Sequence, residues 1–411
     1  MLSWKKKLGI SIAHGFEYYD LAVLSALQSY LAYHFFPSDY FGAYAALLAW
    51  LPLIFRFVAR PFGGFFVGLY ADKYGRRAAM IFTSFVTGFA TLTMAFLPTY
   101  AILGVWAPIL LFILQLLQAF SFGGENPAAM AYLFENSKKD EQARIGALLW
   151  GMPMVTIALS LALVALCEHT LSAESMRDYG WRIPILCGVV NIGIGFYFRF
   201  KLVELKSFKQ TNKVRIQPLA TLKSFLIYLP DTILFYGNTI SSKYLLKTFT
   251  QDPTLLILGP IVFNLLFFVT CCYLGRWIDR SQWSCELALS SLYKVVIVLA
   301  VPAYALQALD SWLALLISQL LITLFVATAT SATPGAIFNA TQPENRIATM
   351  GLGINLGVVL VGSFIPMTVS YLSDLGIVYV GVLMACSGVL YQLNHWLDAL
   401  SPQSRQQKQT A

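Results

Sequence analysis

Gly68-Leu-Tyr-Ala-Asp72-Lys73-Tyr-Gly75-Arg76-Arg77 and, far downstream, Gly275-Arg276-Trp-Ile-Asp279-Arg280 are the two stretches that decide the fold. In each, a glycine is followed four residues later by an aspartate and at once by a base. Both sit between long apolar runs. One such loop would be a weak signal. Two of them, at matching places in the halves of a very hydrophobic chain, indicate a duplicated six-helix unit.

Working outward, 58% of the 411 residues are apolar and 12% charged, with a mean hydropathy of +0.66. A soluble domain does not have this composition. Runs long enough to cross the hydrocarbon, about 20 residues each, fall at 9–35, 43–70, 78–97, 102–131, 145–167, 180–200, 223–249, 254–275, 286–307, 311–338, 347–370 and 375–397. The expected fold is therefore an all-α polytopic membrane protein with twelve transmembrane helices in two six-helix bundles. The expected divisions are an N-terminal bundle (1–200), a polar linker (201–222), a C-terminal bundle (223–397) and a tail (398–411). The first span follows Lys5-Lys6-Lys7 but carries Glu17 and Asp20 and no small-residue cleavage site, so it reads as a helix that is kept.

The bases set the expected orientation. Lys73, Arg76, Arg77, Lys138, Lys139, Arg144, the linker lysines, Arg276, Arg280 and Arg346 all fall on one side of a twelve-span arrangement. Both termini are then cytoplasmic, in a multi-pass protein of the plasma (bacterial inner) membrane. The net charge of +8 follows from this asymmetry and does not suggest nucleic-acid binding. The six cysteines have no CxxC spacing and the four histidines form no HxxxH pair, so no metal or other cofactor is expected.

The two loops resemble the signature of the major facilitator superfamily between helices 2 and 3 and its echo between helices 8 and 9. Finer segments resemble the metabolite:proton symporter branch of proline/betaine, dicarboxylate and shikimate carriers. These are Phe16-Glu17-Tyr18-Tyr19-Asp20, Ala59-Arg60-Pro61-Phe62-Gly63-Gly64, Leu117-Gln118-Ala119-Phe120-Ser121-Phe122-Gly123-Gly124-Glu125, and Arg346-Ile-Ala-Thr349 with Asn355-Leu-Gly357. The resemblance implies a proton-coupled transporter of a small carboxylate or zwitterion. It departs at Gln115, where the branch usually has an arginine, and at Arg56, where it has no base. Together these suggest a repositioned anion site.

Ionisable side chains inside the spans are costly, and each is a functional candidate. At 1.5 Å per residue, Glu17, Arg60 and Glu125 lie about 12–14 Å from the cytoplasmic face, and Asp20 and Arg56 about 16–20 Å. Glu17 and Asp20 share one helix face, as do Arg56 and Arg60. Three acids then face two bases, and the spare carboxylate is the natural proton carrier, with Glu125 or Asp20 favoured. Tyr18 and Tyr19, flanked by the acids, are the aromatics expected near substrate. His14 reads as interfacial, or alternatively as an extension of the relay. The Thr328–Gly335 stretch reads as a cavity-facing bend or as hydroxyls bonding back to their own helix.

The signature loops (Gly68, Asp72, Gly75, Arg76, Arg77; Gly275, Asp279, Arg280) read as cytoplasmic latches. Asp72 is expected against the start of helix 11, and Asp279 against the start of helix 5. Arg76, Arg77 and Arg280 are expected on nearby acids and lipid phosphates. No nucleotide-binding loop and no catalytic constellation is present, so neither a pump nor an enzyme is expected. The expectation is a secondary transporter, working as a monomer in the bilayer on a small molecule and protons. A transporter-like receptor or an exporter is the alternative.

Overall fold

The computed structural model describes residues 2–202, 216–309, 311–362 and 364–400. The chain is an all-α membrane protein of twelve spans in two six-helix bundles. Helix α1 (Trp4–Ala26) continues after a break at Leu27 as Gln28–Phe35. It is followed by α2 (Ala45–Tyr74), α3 (Arg76–Phe96), α4 (Trp106–Glu135), α5 (Gln142–Thr170) and α6 (Arg182–Phe200). The second half comprises α7 (Pro218–Phe249), α8 (Pro253–Arg280), α9 (Cys285–Ala305), α10 (Trp312–Asn339), α11 (Arg346–Gly357) and α12 (Ile377–Leu400). The predicted linker falls largely on residues 203–215, and the predicted tail on 401–411, both outside the described residues.

Helices run past the apolar stretches that announced them. α2, α4 and α8 continue to Tyr74, Glu135 and Arg280, because charged residues end a hydrocarbon span without ending a helix. The predicted single run at 347–370 is interrupted. After Gly357 the chain makes a wider π-type turn over Val358–Gly362 and restarts as Ile365–Leu375. Pro366, near the start of the new segment, has no N–H to donate back to the preceding turn.

The duplication is visible in the packing. In the first half α1 packs on α5 and α6, α2 on α4, and α3 on α4 and α6. In the second, α7 packs on α11 and α12, α8 on α10, and α9 on α10 and α12. Adding six to each number converts the first set into the second. The halves meet where α2 lies along α11 and α5 along α8, again related by the same shift. The charged loops lie at one end of these two seams, hereafter the basic face.

Candidate functional site: buried charges and two seams

The buried charges of the first bundle are organised by a residue at the end of the sixth span that the sequence reading did not single out. Arg199, at the end of α6, is 3% exposed, and its Nη2 lies 3.4 Å from Glu17 Oε1. The same nitrogen is ion-paired with Glu125, and Nη1 contacts Ser84 Oγ. Thr83 Oγ1 donates to the other Glu125 oxygen at 3.0 Å. The expected grouping of Glu17, Glu125 and Arg60 is thereby corrected, because Arg199 stands between the two carboxylates. Three acids now face three bases, so the first bundle has no spare carboxylate.

His14 is fully buried rather than interfacial, and it stacks on Phe122. One of its ring nitrogens and one oxygen each from Glu17 and Glu125 lie within 4.8 Å of one another, a spacing a metal ion could use. The Arg199 guanidinium, touching both carboxylates, supplies the positive charge there instead.

Farther along α1, Asp20 accepts hydrogen bonds from Thr91 Oγ1 at 2.7 Å and Gln118 Nε2 at 3.4 Å. Gln118 also donates to Thr91 at 2.6 Å. Arg56 faces Asp20 electrostatically, with no direct ion pair between them. Arg56 Nε and Nη1 and Arg60 Nε are buried with no hydrogen-bond partner among the described residues. Glu17, Asp20, Arg56, Arg60, Gln118 and Phe122 line one small cavity. The Arg60 guanidinium lies over the Phe122 ring at 4.4 Å, and Tyr18, Tyr228 and Tyr236 are close enough to interact with it electrostatically. The last two come from α7, so this arginine looks across to the other bundle.

The two tyrosines of α1 separate. Tyr18 packs edge-on against Phe122, with ring centroids 4.8 Å apart. Tyr19 is buried away from the cavity and donates to the Pro184 carbonyl at 2.9 Å, pinning α1 to α6. That removes it from the substrate candidates. Gln115 is buried on α4 but does not line the cavity; Gln118, one turn on, does.

At the basic face Asp72 accepts from the Ile347 and Ala348 amides at 3.3 and 3.1 Å, the start of α11. Asp279 accepts from the Ala143 and Arg144 amides at 3.0 Å each, the start of α5, and from Arg144 Nε at 3.0 Å. Gly68 and Gly275 permit this approach. A Cβ on Gly68 would meet the Ala348 Cα at 2.6 Å, and one on Gly275 the Ala143 carbonyl at 2.7 Å. Gly75, at φ 105°, makes the corner between α2 and α3. Arg76 grips Glu135 through two bonds of 3.2 Å, and Arg346 of α11 reaches the same carboxylate at 3.4 Å. Arg77 finds the Phe200 carbonyl at 2.8 Å rather than an acid, and Arg280 is exposed at the end of α8.

Asp231 of α7 was missed by the sequence reading, although an acid inside an apolar run was signal enough. It is buried, lies against the Thr330 hydroxyl, and leaves Oδ1 without a partner. In the Thr328–Gly335 stretch, Thr328 and Ser331 bond back to Leu324 and Ala327, each at 2.7 Å, the ordinary fate of hydroxyls in a membrane helix.

Residues 8–223 match the family described as sugar (and other) transporter. A proline/betaine transporter of Salmonella typhimurium is 26% identical over 378 residues, covering 86% of this chain and 74% of that protein. A citrate-proton symporter of Klebsiella pneumoniae is 26% identical over 375 residues, covering 87% and 83%. Among solved structures, the proton:xylose symporter XylE, of the major facilitator superfamily, superposes with a TM-score of 0.73 at 13% identity, over 95% of this chain and 94% of that one.

Proposed function

Since the chain belongs to the sugar (and other) transporter family of the major facilitator superfamily, we propose that it carries a small carboxylate or zwitterion together with a proton, by alternating access between its bundles. The observation that carries this reading is the pair Arg56 and Arg60. Two buried guanidiniums line a cavity near the bundle interface, with N–H groups unpartnered among the described residues and no acid in ion-pair contact. A planar fork of donors matches a carboxylate, and a buried cation without an anion is costly. The solutes in the relatives' names, proline, betaine and citrate, all carry a carboxylate, which supports this reading.

Coupling follows from the neighbours. Asp20 competes with the substrate carboxylate for Arg56. A proton on Asp20 cancels its negative charge and frees Arg56 for the substrate, so proton and substrate favour each other's binding. The Thr91 and Gln118 hydrogen bonds hold Asp20 in place meanwhile. The distribution of Lys and Arg supports a cytoplasmic basic face, with both termini on that side of a bacterial plasma membrane. One chain supplies both walls of the cavity's surroundings, so a monomer suffices.

A thermal-shift screen of small acids, amino acids and betaines would identify the ligand, since one present at 100 times its Kd adds about 2.7 kcal/mol of apparent stability. Proteoliposomes then test the mechanism. The expected result is counterflow of labelled ligand and accumulation that collapses with a protonophore. Accumulation that needs sodium and ignores the protonophore overturns the coupling, and absence of counterflow overturns the carrier.

A further inference from the structure

Within the first bundle each buried acid has a base in contact or facing it. Glu17 and Glu125 have Arg199, and Asp20 faces Arg56. Asp231 differs. It lies on α7 immediately after Pro230, inside the second bundle, and is 5% exposed. Thr330 from α10 hydrogen-bonds it, and Cys271 from α8, Tyr293 from α9 and Tyr228 from its own helix are close enough to interact with it electrostatically. From α11, the backbone of Gly357 approaches the Tyr228 ring, and from α12 Tyr391 stacks on Tyr293 with centroids 4.5 Å apart. None of these groups is a cation, and among the described residues no base is ion-paired with Asp231.

Two atoms in this pocket are buried without hydrogen-bond partners, Asp231 Oδ1 and Tyr293 Oη. An ionised carboxylate in the hydrocarbon region with no cation and an unfilled acceptor is strongly disfavoured. A protonated carboxyl removes the charge and turns one oxygen into a donor, so the site is chemically complete with a proton alone. We propose that Asp231 is a second proton-binding site, housed in the C-terminal bundle and occupied when the basic face is closed. It would add a protonatable group to the half of the molecule whose described core otherwise buries no acid away from the signature loop.

Infrared spectroscopy of the purified protein in lipid at neutral pH reads this directly, since a protonated carboxyl has a carbonyl stretch that an ionised one lacks. The expected result is a protonated-carboxyl band in the wild type that disappears in Asp231→Asn. An Asp231→Glu variant, which should retain the band at a shifted frequency, covers the possibility that the amide does not fold. A spectrum unchanged in that region by both substitutions overturns the proposal. So does a band that sodium abolishes, because the carboxylate would then be holding a metal cation. The measurement requires no transport and no ligand, so its outcome is independent of the substrate reading above.

Discussion

Asp20 and Arg56 form the switch on which the proposed coupling depends, and their substitutions should separate cleanly. Asp20→Asn mimics the protonated state. It is expected to keep counterflow but lose accumulation driven by a proton gradient, and retained accumulation would count against Asp20 as the carrier. Arg56→Ala removes a buried partner of the substrate charge and should weaken binding by about 2–5 kcal/mol, roughly 30-fold or more, in the thermal-shift titration. Arg199 is different in kind. Its loss would leave Glu17 and Glu125 facing each other, and Arg199→Gln should cost about 3–5 kcal/mol of stability, seen as a lower unfolding temperature in detergent. Glu17, Asp20, Arg56, Arg60 and Glu125 were legible because a charge inside an apolar run stands out. Arg199 was not, because it ends its run beside Lys201 and reads as one more topological base. Only the tertiary arrangement reveals that α6 delivers it to the two carboxylates.

At the level of the helices, hydrophobicity located every span but measured the membrane rather than the helix. That is why α2, α4 and α8 overshoot their apolar runs, and why the break in α11 went unseen. The same elements carry a sharper test. Along the first seam, the hydrogen at Gly68 lets α2 touch the α11 backbone at Ala348. Gly68→Val forces the helices apart, because the obstructing atoms belong to backbone that cannot rotate away. With a cysteine at Thr349 as reporter on a cysteine-free background, labelling from the basic face should rise several-fold. Unchanged labelling would mean that the seam is not held by this approach.

For the whole molecule, Asp72 and Asp279 tie the amino ends of α11 and α5 across the bundles, and we propose that each tie breaks when the basic face opens. A carboxylate against a helix start contributes about 0.3–2 kcal/mol. Asp72→Asn should therefore raise the fraction open toward the basic face by a factor of roughly 2–30, without impairing insertion. Asp279 has Arg144 as an additional partner, so Asp279→Asn is expected to act at least as strongly. If neither variant shifts side-specific cysteine labelling, these contacts do not govern the equilibrium.

The balance of the buried cluster reaches further. Glu17, Asp20 and Glu125 against Arg56, Arg60 and Arg199 sum to zero. Under the proposed alternating access, and with Asp231 protonated, the unloaded carrier would return without moving net charge through the membrane voltage, which acts with about 2.3 kcal/mol per charge per 100 mV. One proton taken up with a monoanion preserves that neutrality, whereas one proton with a zwitterion does not. A current recorded on a supported bilayer during uptake would thus distinguish the two substrate classes through the sign and size of the charge moved per turnover.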